Sequence, residues 1–298
     1  MRAATKRGPM KRFWRGLRWV LLALAVLLVG TWIVAAIAVR GTFAGFRSAA
    51  DAGGEAVQAG ATGHRIVGRV YLKGDADPAA PLVVVLHGDA PFRHPGYQYG
   101  FADDIATATP GTRVVGLLRP GYADPYGARS DGDRGFASGE NYTEDVVHDV
   151  AAAIRALQNR WHAPSVVLVG HSGGSAIAAN IAALEPRLVR HVFIVSCPCD
   201  VPAFRRHMAA MQWSPMWLMP AQSLSPIETL DRMDSATVVT VFSGAEDPVT
   251  LPRYAQAYVD KARARGIRAE LVTMPGKGHE ILDDPAVEKS VEAAARER

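Results

Sequence analysis

The sequence predicts an α/β fold with a mostly parallel central sheet and helices on both of its faces. Short apolar runs typical of buried strands, such as Leu82–Leu86, Val166–Val169 and Val238–Phe242, alternate with segments of helical length. The short connections between them favour parallel strands joined by helices that cover the sheet. With 298 residues and a hydrophobic content of 49%, the chain is large enough for one such domain and an appendage.

The predicted appendage is a basic tail, residues 1–18, followed by an apolar segment, residues 19–39. That segment has 21 residues and no charge, and as a helix it would span roughly 30 Å, the thickness of a bilayer core. We therefore expect a transmembrane signal anchor. Seven positive residues precede the segment and only Arg40 and Arg47 follow it closely, so the positive-inside rule places the tail in the cytoplasm and the domain outside the cytosol.

Two other interpretations of the apolar segment stay open. Ala36 and Ala38 frame a small-residue cleavage site, so the segment could be a signal peptide whose removal releases a secreted or periplasmic domain. The third interpretation is a buried core helix.

The charges of the chain are unevenly distributed. Residues 40–63 are rich in Ala and Gly and are expected to form a linker, which leaves 64–298 for the folded domain. The net charge is +4, yet residues 1–47 contain nine Lys or Arg and no acid, so residues 48–298 carry 24 basic against 29 acidic side chains. A mildly acidic domain argues against nucleic acid as a partner.

Cysteines and metal-ligand patterns are sparse. Cys197 and Cys199 flank Pro198, and a bridge between them would close a very small ring, so we expect two free thiols and keep a disulfide as the alternative. No histidines and carboxylates show metal-ligand spacing, so neither a metal nor another cofactor is predicted.

A serine lies at a predicted sharp turn between a buried strand and a helix. Gly170–Gly174 has the pattern G-x-S-x-G, with the Val166–Val169 strand before it and a run of small, helix-compatible residues after it. A serine hydroxyl reacts only when it is exposed beside a base, with donors for the developing oxyanion. Ser172 is therefore the candidate nucleophile, and the Gly173 amide, which opens the helix, is a candidate oxyanion donor.

Two further polar residues directly follow buried strands. Asp247 follows the Val238–Phe242 strand and its loop, and His279 follows the last strand in a glycine-containing loop. Because the carboxyl ends of parallel strands meet at one edge of a sheet, Ser172, Asp247 and His279 are expected together. His279 would move the serine proton, and Asp247 would orient the imidazole, with Glu246 as the competing acid.

These motifs resemble the α/β-hydrolase superfamily, in particular its serine esterases and lipases, with some similarity to prolyl oligopeptidase-type hydrolases. The resemblance covers 64–298 and rests on the elbow at Ser172 and on the order serine, acid, histidine. His87 and Gly88 are similar to the oxyanion loop of the family, which implies the Asp89 backbone N–H as the second donor beside Gly173, with Ala90 as the alternative. The family often has a glycine or an apolar residue where this chain has Asp89.

The resemblance also implies a cap, because an insertion at about 198–235 lies between the strand after the elbow and the strand before the acid. Its Met and Trp side chains could line an acyl pocket, pack against lipid or form the underside of the cap. Three arginines, Arg119, Arg205 and Arg206, are expected on the solvated surface, with recognition of a substrate carboxylate as the alternative.

The function implied is a serine hydrolase that cleaves small-molecule carboxylic esters through an acyl-enzyme intermediate at a membrane. A small serine peptidase or a thioesterase of the same superfamily is the alternative enzyme. A non-catalytic hydrolase-like binding module at the membrane is the alternative from another class.

Overall fold

The computed structural model describes residues 9–42, 53–90, 93–135 and 139–297. The chain divides into two compact units, one with the N-terminal helix and one with the sheet. The predicted tail before Pro9 and the predicted linker between 43 and 52 lie outside the described residues.

The N-terminal unit contains one long helix, α1, which spans Pro9–Thr42. Within it, Phe13–Ile33 has 21 residues and a hydropathy of 2.0, with none of the window buried. By length and composition this segment could cross a membrane, and a signal sequence would satisfy the same criteria. This apolar window begins at Phe13, six residues before the predicted start at Trp19. The side chains of the helix after Ile33 lie outside the described part of the structure.

The second unit is built on one sheet, which has eight strands among the described residues. In spatial order the sheet is β1-β2-β4-β3-β5-β6-β7-β8. The β1–β2 and β2–β4 pairs are antiparallel and all others are parallel, which confirms the predicted mostly parallel sheet. The strands are β1 (Glu55–Ala59), β2 (Ile66–Tyr71), β3 (Leu82–Leu86), β4 (Val114–Leu117), β5 (Val166–His171), β6 (His191–Val195), β7 (Val238–Gly244) and β8 (Arg268–Met274).

Helices cover both faces of this sheet. They are α2 (Tyr97–Ala108), α3 (Glu144–Trp161), α4 (Gly173–Leu184), α5 (Val201–Gln212), α6 (Pro226–Thr229), α7 (Pro252–Ala264) and α8 (Pro285–Arg296). Alternate residues of β3 point to opposite sides, as strand geometry requires. Val84 joins a core cluster with α3, α4 and α7, whereas Val83 and Val85 join a second cluster with α2 and α8.

The predicted linker over 40–63 is wrong in its last part, because Glu55–Ala59 forms β1. This edge strand pairs with β2, and Val57 and Ala59 are buried in the core while the other three residues are exposed. A five-residue strand of Glu, Ala, Val and Gln with one buried β-branched residue carries little local signal. Its position is set by pairing with β2.

The predicted cap segment lies between β6 and β7 and contains α5, α6 and two short 3₁₀ turns, Pro215–Leu218 and Leu230–Arg232. Phe204, Met208 and Trp217 are buried in the main core cluster, as expected for the underside of a cap. Trp213 and Met219 are instead exposed, by 93% and 62%.

The expectation of two free thiols at the start of this segment is wrong. Cys197 and Cys199 form a disulfide, with their Cα atoms 5.0 Å apart. That separation lies within the range that a disulfide can bridge, which ring size alone did not reveal.

Candidate active site

The strand-to-helix turn predicted around Ser172 is present. Strand β5 ends at His171, α4 begins at Gly173, and Ser172 between them has φ of 52° and ψ of −122°. This positive-φ conformation costs a non-glycine residue about 1–3 kcal/mol and persists only where its surroundings impose it. Here the Ser172 N–H donates to the Val195 carbonyl at 2.8 Å, and the Ser175 N–H donates to the Ser172 carbonyl at 2.9 Å.

Two glycines permit this turn through close backbone contacts. A Cβ on Gly170 would lie 2.4 Å from the Gly174 carbonyl oxygen, and one on Gly174 would lie 2.4 Å from the His87 carbonyl oxygen. Real Cβ atoms do not approach backbone so closely, so a side chain at either position would displace the turn or the loop after β3. The G-x-S-x-G pattern thus reflects packing of the elbow against its neighbours.

The structure brings Ser172, Asp247 and His279 together at the carboxyl edge of the sheet. The Nε2 atom of His279 lies 3.0 Å from Ser172 Oγ, and its Nδ1 lies 2.9 Å from Asp247 Oδ2. The Asp247 side chain is fully buried and that of His279 is 9% exposed. Glu246, the competing acid, is exposed.

The Asp247 carboxylate is fixed by its own loop as well as by His279. Its Oδ1 accepts the backbone N–H groups of Val249 at 2.7 Å and Thr250 at 2.9 Å, and its Oδ2 accepts the Thr250 hydroxyl. Burial raises the pKa of Asp247, but the hydrogen bonds from His279 and Thr250 outweigh burial and lower the pKa below its ordinary value. The acid therefore stays ionised and oriented toward the imidazole.

The interaction between Asp247 and His279 shifts the pKa of His279 in the opposite direction, upward. Burial lowers the pKa of His279, whereas the hydrogen bond to Asp247 and the charge of that carboxylate raise it, and the net pKa is above 6.5. An imidazolium at this position is thus stabilised by its buried partner, as a base that receives a proton requires.

The loop after β3 contains both candidates for the second oxyanion donor. The Ala90 N–H points to the Tyr122 hydroxyl at 3.4 Å, a long contact. The Asp89 side chain lies against the elbow, since its Oδ1 is 2.3 Å from where a Cβ of Gly173 would be. Gly173 and the Asp89 loop are therefore adjacent, although they come from different strands.

The Asp89 carboxylate is held by three donors, none of which was predicted from the sequence to contact it. Oδ1 accepts Arg119 Nη1 at 2.7 Å, and Oδ2 accepts the Tyr142 hydroxyl at 2.6 Å and the Gly139 N–H at 2.8 Å. We call Asp89, Arg119 and Tyr142 the Asp89 cluster.

Arg119 is completely buried, so the prediction of a solvated surface residue is wrong. Its guanidinium carbon lies 5.3 Å from the Tyr122 ring and 5.5 Å from the Tyr142 ring. Burial lowers the pKa of Arg119, but the charge of Asp89, its hydrogen bond and the two tyrosines together outweigh burial and raise the pKa above its ordinary value. The same prediction is wrong for Arg205, which is buried and donates hydrogen bonds to the Gly139 and Met219 carbonyls. Arg206 is exposed, as predicted.

A sequence signal for Arg119 existed, because it follows β4 within two residues and so lies at the same sheet edge as the other polar residues. Among the described residues, no group of three or more His, Cys, Asp or Glu is arranged to hold a metal ion.

Comparison with known proteins gives one family match. The family model described as serine aminopeptidase, S33 (Hydrolase_4) matches residues 123–238, a range that includes Ser172 and ends before Asp247 and His279. No curated protein matches the sequence.

Solved structures similar to this chain include esterases and a peptidase. Est1E from Butyrivibrio proteoclasticus is 14% identical with a TM-score of 0.60, covering 80% of this chain and 96% of that protein. The Pyrococcus furiosus esterase Pf2001 is 13% identical with a TM-score of 0.62, covering 83% and 92%. A puromycin-hydrolyzing peptidase of Mycobacterium tuberculosis is 19% identical with a TM-score of 0.63, covering 81% of this chain and 38% of that protein. The resemblance to the α/β-hydrolase superfamily is therefore confirmed, and the chain has the α/β-hydrolase fold.

Proposed function

We propose that this protein is a serine hydrolase that cleaves carboxylic esters through an acyl-enzyme intermediate. The observation that carries the proposal is the continuous contact from Ser172 Oγ to His279 Nε2, at 3.0 Å, and from His279 Nδ1 to Asp247 Oδ2, at 2.9 Å. Such an arrangement has the atoms, spacing and order that nucleophilic acyl transfer requires.

In the proposed reaction, Ser172 Oγ attacks the ester carbonyl carbon while His279 Nε2 takes the hydroxyl proton. The imidazolium is stabilised by Asp247, and it returns the proton to the leaving alkoxide as the carbon–oxygen bond breaks. Water then attacks the acyl-serine with His279 as base, which releases the acid and restores the serine. The backbone N–H groups of Gly173 and Asp89 are the proposed oxyanion donors, a kind of contact whose loss typically lowers kcat by about 10²- to 10³-fold.

The Asp89 side chain would oppose this role if its charge were uncompensated, since a carboxylate beside the elbow repels a developing oxyanion. Arg119 Nη1 lies 2.7 Å from that carboxylate, and Tyr142 donates a second hydrogen bond to it. The Arg119 cation offsets this charge, and both donors hold the loop through the Asp89 side chain. The departure from the family pattern at Asp89 is thus compatible with an oxyanion donor there.

A serine peptidase is the second candidate, favoured by the serine aminopeptidase model that matches 123–238 and by the likeness to a puromycin-hydrolyzing peptidase. A thioesterase would use the same groups. A non-catalytic binding module would not need the hydrogen bonds among Ser172, His279 and Asp247, so these contacts favour an enzyme.

We further propose that α1 anchors the enzyme in a membrane, with its N-terminus in the cytoplasm and the hydrolase domain outside. The support is the apolar window Phe13–Ile33 and the excess of positive residues before it. The intact mass of the protein from its host separates an uncleaved anchor from a cleaved signal, which would remove residues up to about Ala38.

The test of the proposed activity compares p-nitrophenyl acetate with the matched anilide on the detergent-solubilised full chain. We expect ester hydrolysis in the wild type, its loss in Ser172→Ala, and full activity in the control Ser290→Ala, whose exposed hydroxyl bonds only its own helix. Cleavage of the anilide with little ester turnover would instead identify a peptidase. Equal ester hydrolysis by wild type and Ser172→Ala would refute the proposal.

A further inference from the structure

A second set of polar groups lies buried behind the candidate active site. Glu280 follows His279 directly, its side chain is 18% exposed, and its Oε2 lies 3.8 Å from Nε2 of His171. Both of its carboxylate oxygens are buried without a hydrogen-bond partner among the described residues. A buried carboxylate in this state is costly, so its position beside the candidate base calls for a role.

His171 contacts both loops that the proposed reaction depends on. Its side chain is 1% exposed, its Nδ1 lies 2.9 Å from the Tyr97 hydroxyl, and its Nε2 lies 3.3 Å from the His279 carbonyl oxygen. The Tyr97 hydroxyl oxygen in turn accepts the N–H of Gly88 at 2.5 Å. Gly88 immediately precedes Asp89, the proposed oxyanion donor.

The hydrogen bonds that run from Gly88 through Tyr97 and His171 to the His279 carbonyl can all be given a consistent donor and acceptor. Since the Gly88 N–H donates to the Tyr97 oxygen, the Tyr97 proton can point to Nδ1 of His171, which then accepts. The proton of His171 resides on Nε2 and is donated to the His279 carbonyl oxygen. Burial lowers the pKa of His171 to about 3, with a smaller contribution from His279, so the imidazole is neutral and suits one donor and one acceptor.

A neutral imidazole in this place joins two segments that are far apart in sequence. Gly88 follows β3, while His279 follows β8, and the His279 carbonyl oxygen also accepts the Ser196 hydroxyl at 2.7 Å. Fixing that carbonyl fixes the backbone from which the candidate base extends. Fixing Gly88 fixes the peptide that leads to the Asp89 N–H.

We propose that Tyr97 and His171 form a positioning unit that holds the oxyanion loop at Gly88 in register with the base at His279, and that the adjacent Glu280 acts on His279 through its charge. This inference rests on the proposed serine hydrolase function and adds residues that act through others. Neither the elbow pattern nor the triad requires them.

Glu280 lies beside this unit and affects the pKa of His279 through its charge. Its carboxylate raises the pKa of His279, and burial raises its own pKa to about 7, against the effect of His279. The titratable groups that face it are His171 and Tyr97 from behind, His279 beside it, and Asp247 and Asp283 from the adjoining loops. An ionised Glu280 therefore favours the imidazolium that forms when His279 takes the serine proton.

Removal of single hydroxyls tests the geometric part. Tyr97→Phe keeps the ring and deletes one hydrogen-bonded link, and we expect kcat for p-nitrophenyl acetate to fall about threefold to tenfold with little change in KM. The matched control is Tyr258→Phe, which deletes a buried hydroxyl without a hydrogen-bond partner among the described residues and should leave kcat unchanged. In the double variant Tyr97→Phe/His171→Phe, the fold-loss of kcat should be smaller than the product of the losses in the two single variants, because both substitutions break the same connection.

A pH profile tests the electrostatic part, which a merely structural role would not affect. Glu280→Gln removes a charge that raises the pKa of His279 wherever Glu280 is ionised, so the acidic limb of kcat/KM should move to lower pH, by a small amount because Glu280 itself titrates at about 7. Glu228→Gln on α6 is the control and should leave the limb in place. An unmoved limb in Glu280→Gln would overturn this part.

The two proposals fail in different ways. Absence of fluorophosphonate labelling at Ser172 in the wild type would refute the serine hydrolase function itself. Normal labelling of Ser172 with unchanged kcat in Tyr97→Phe, or with fully multiplicative effects in the double variant, would refute the positioning unit alone. Should His171→Phe fail to fold, Tyr97→Phe and Glu280→Gln still decide the matter.

Discussion

Two histidines at the same edge of the sheet, one in the elbow and one in the loop after β8, have opposite properties. The rings of His171 and His279 are 5.4 Å apart between centroids, and both are nearly inaccessible to solvent. Burial lowers the pKa of His171 to about 3, whereas for His279 the hydrogen bond to Asp247 and the charges of nearby carboxylates together outweigh burial and raise the pKa above 6.5.

A carboxylate within hydrogen-bonding distance therefore distinguishes the two imidazoles more than burial does. His279 has Asp247 Oδ2 at 2.9 Å, while the Glu280 carboxylate lies 3.8 Å from His171 and makes no hydrogen bond among the described residues. One imidazole is equipped to take a proton, and the other is equipped to stay neutral and hold its neighbours.

The largest expected effect comes from removing the partner of His279. Asp247→Asn keeps the size of the side chain but removes its charge, which leaves His279 buried without a hydrogen-bonded anion, as His171 is. We expect kcat/KM for a p-nitrophenyl ester to fall by about 10³- to 10⁴-fold. Glu246→Gln is the matched control, and a larger loss in that variant than in Asp247→Asn would assign the acid to Glu246.

The next largest effect concerns the Asp89 cluster. Arg119→Met leaves the Asp89 carboxylate largely buried without its cation, which should lower the free energy of unfolding by about 3–5 kcal/mol. Urea denaturation followed by circular dichroism measures this change, with the exposed Arg206→Met as control. The double variant Arg119→Met/Asp89→Asn should recover part of this free energy. If Arg119→Met is as stable as the wild type, the Arg119–Asp89 ion pair does not contribute to stability.

A smaller effect is expected in the pH dependence of the wild type. In the proposed mechanism His279 accepts the serine proton only when neutral, and its pKa is raised above 6.5, so kcat/KM should fall as the pH is lowered through a value above 6.5. His171 does not titrate in this range because its pKa is about 3. A pH–rate profile with a stable ester supplies the measurement, and an acidic limb centred well below 6.5 would contradict the assignment of His279 as the hydrogen-bonded imidazole.

The sheet and the placement of Ser172, Asp247 and His279 could be predicted because their signals are local. Ser172 and Asp247 follow buried, mostly apolar strands, whereas His279 follows β8, an edge strand that is mostly not buried and so was wrongly expected to be a buried one. Because parallel strands end at the same edge of a sheet, the positions of the three residues in the sequence still indicate spatial proximity. Strand β1 lacked such a signal, because its register depends on β2 and its residues are mostly exposed.

The contacts that surround these three residues could not be predicted in the same way. Asp89 meets Arg119 and Tyr142 through loops that are 30 and 53 residues distant in sequence. His171 meets Tyr97 and the His279 carbonyl across 74 and 108 residues. Partners of this kind depend on side-chain directions in the folded state, which no periodicity or motif specifies.

The measurement that tests the central claim most directly is the location of a covalent fluorophosphonate adduct on the full chain by peptide mass spectrometry. The proposed mechanism predicts one adduct, on the peptide that contains Ser172, and its absence from Ser172→Ala. An adduct on another residue, or ester hydrolysis that proceeds without any adduct on Ser172, would contradict it.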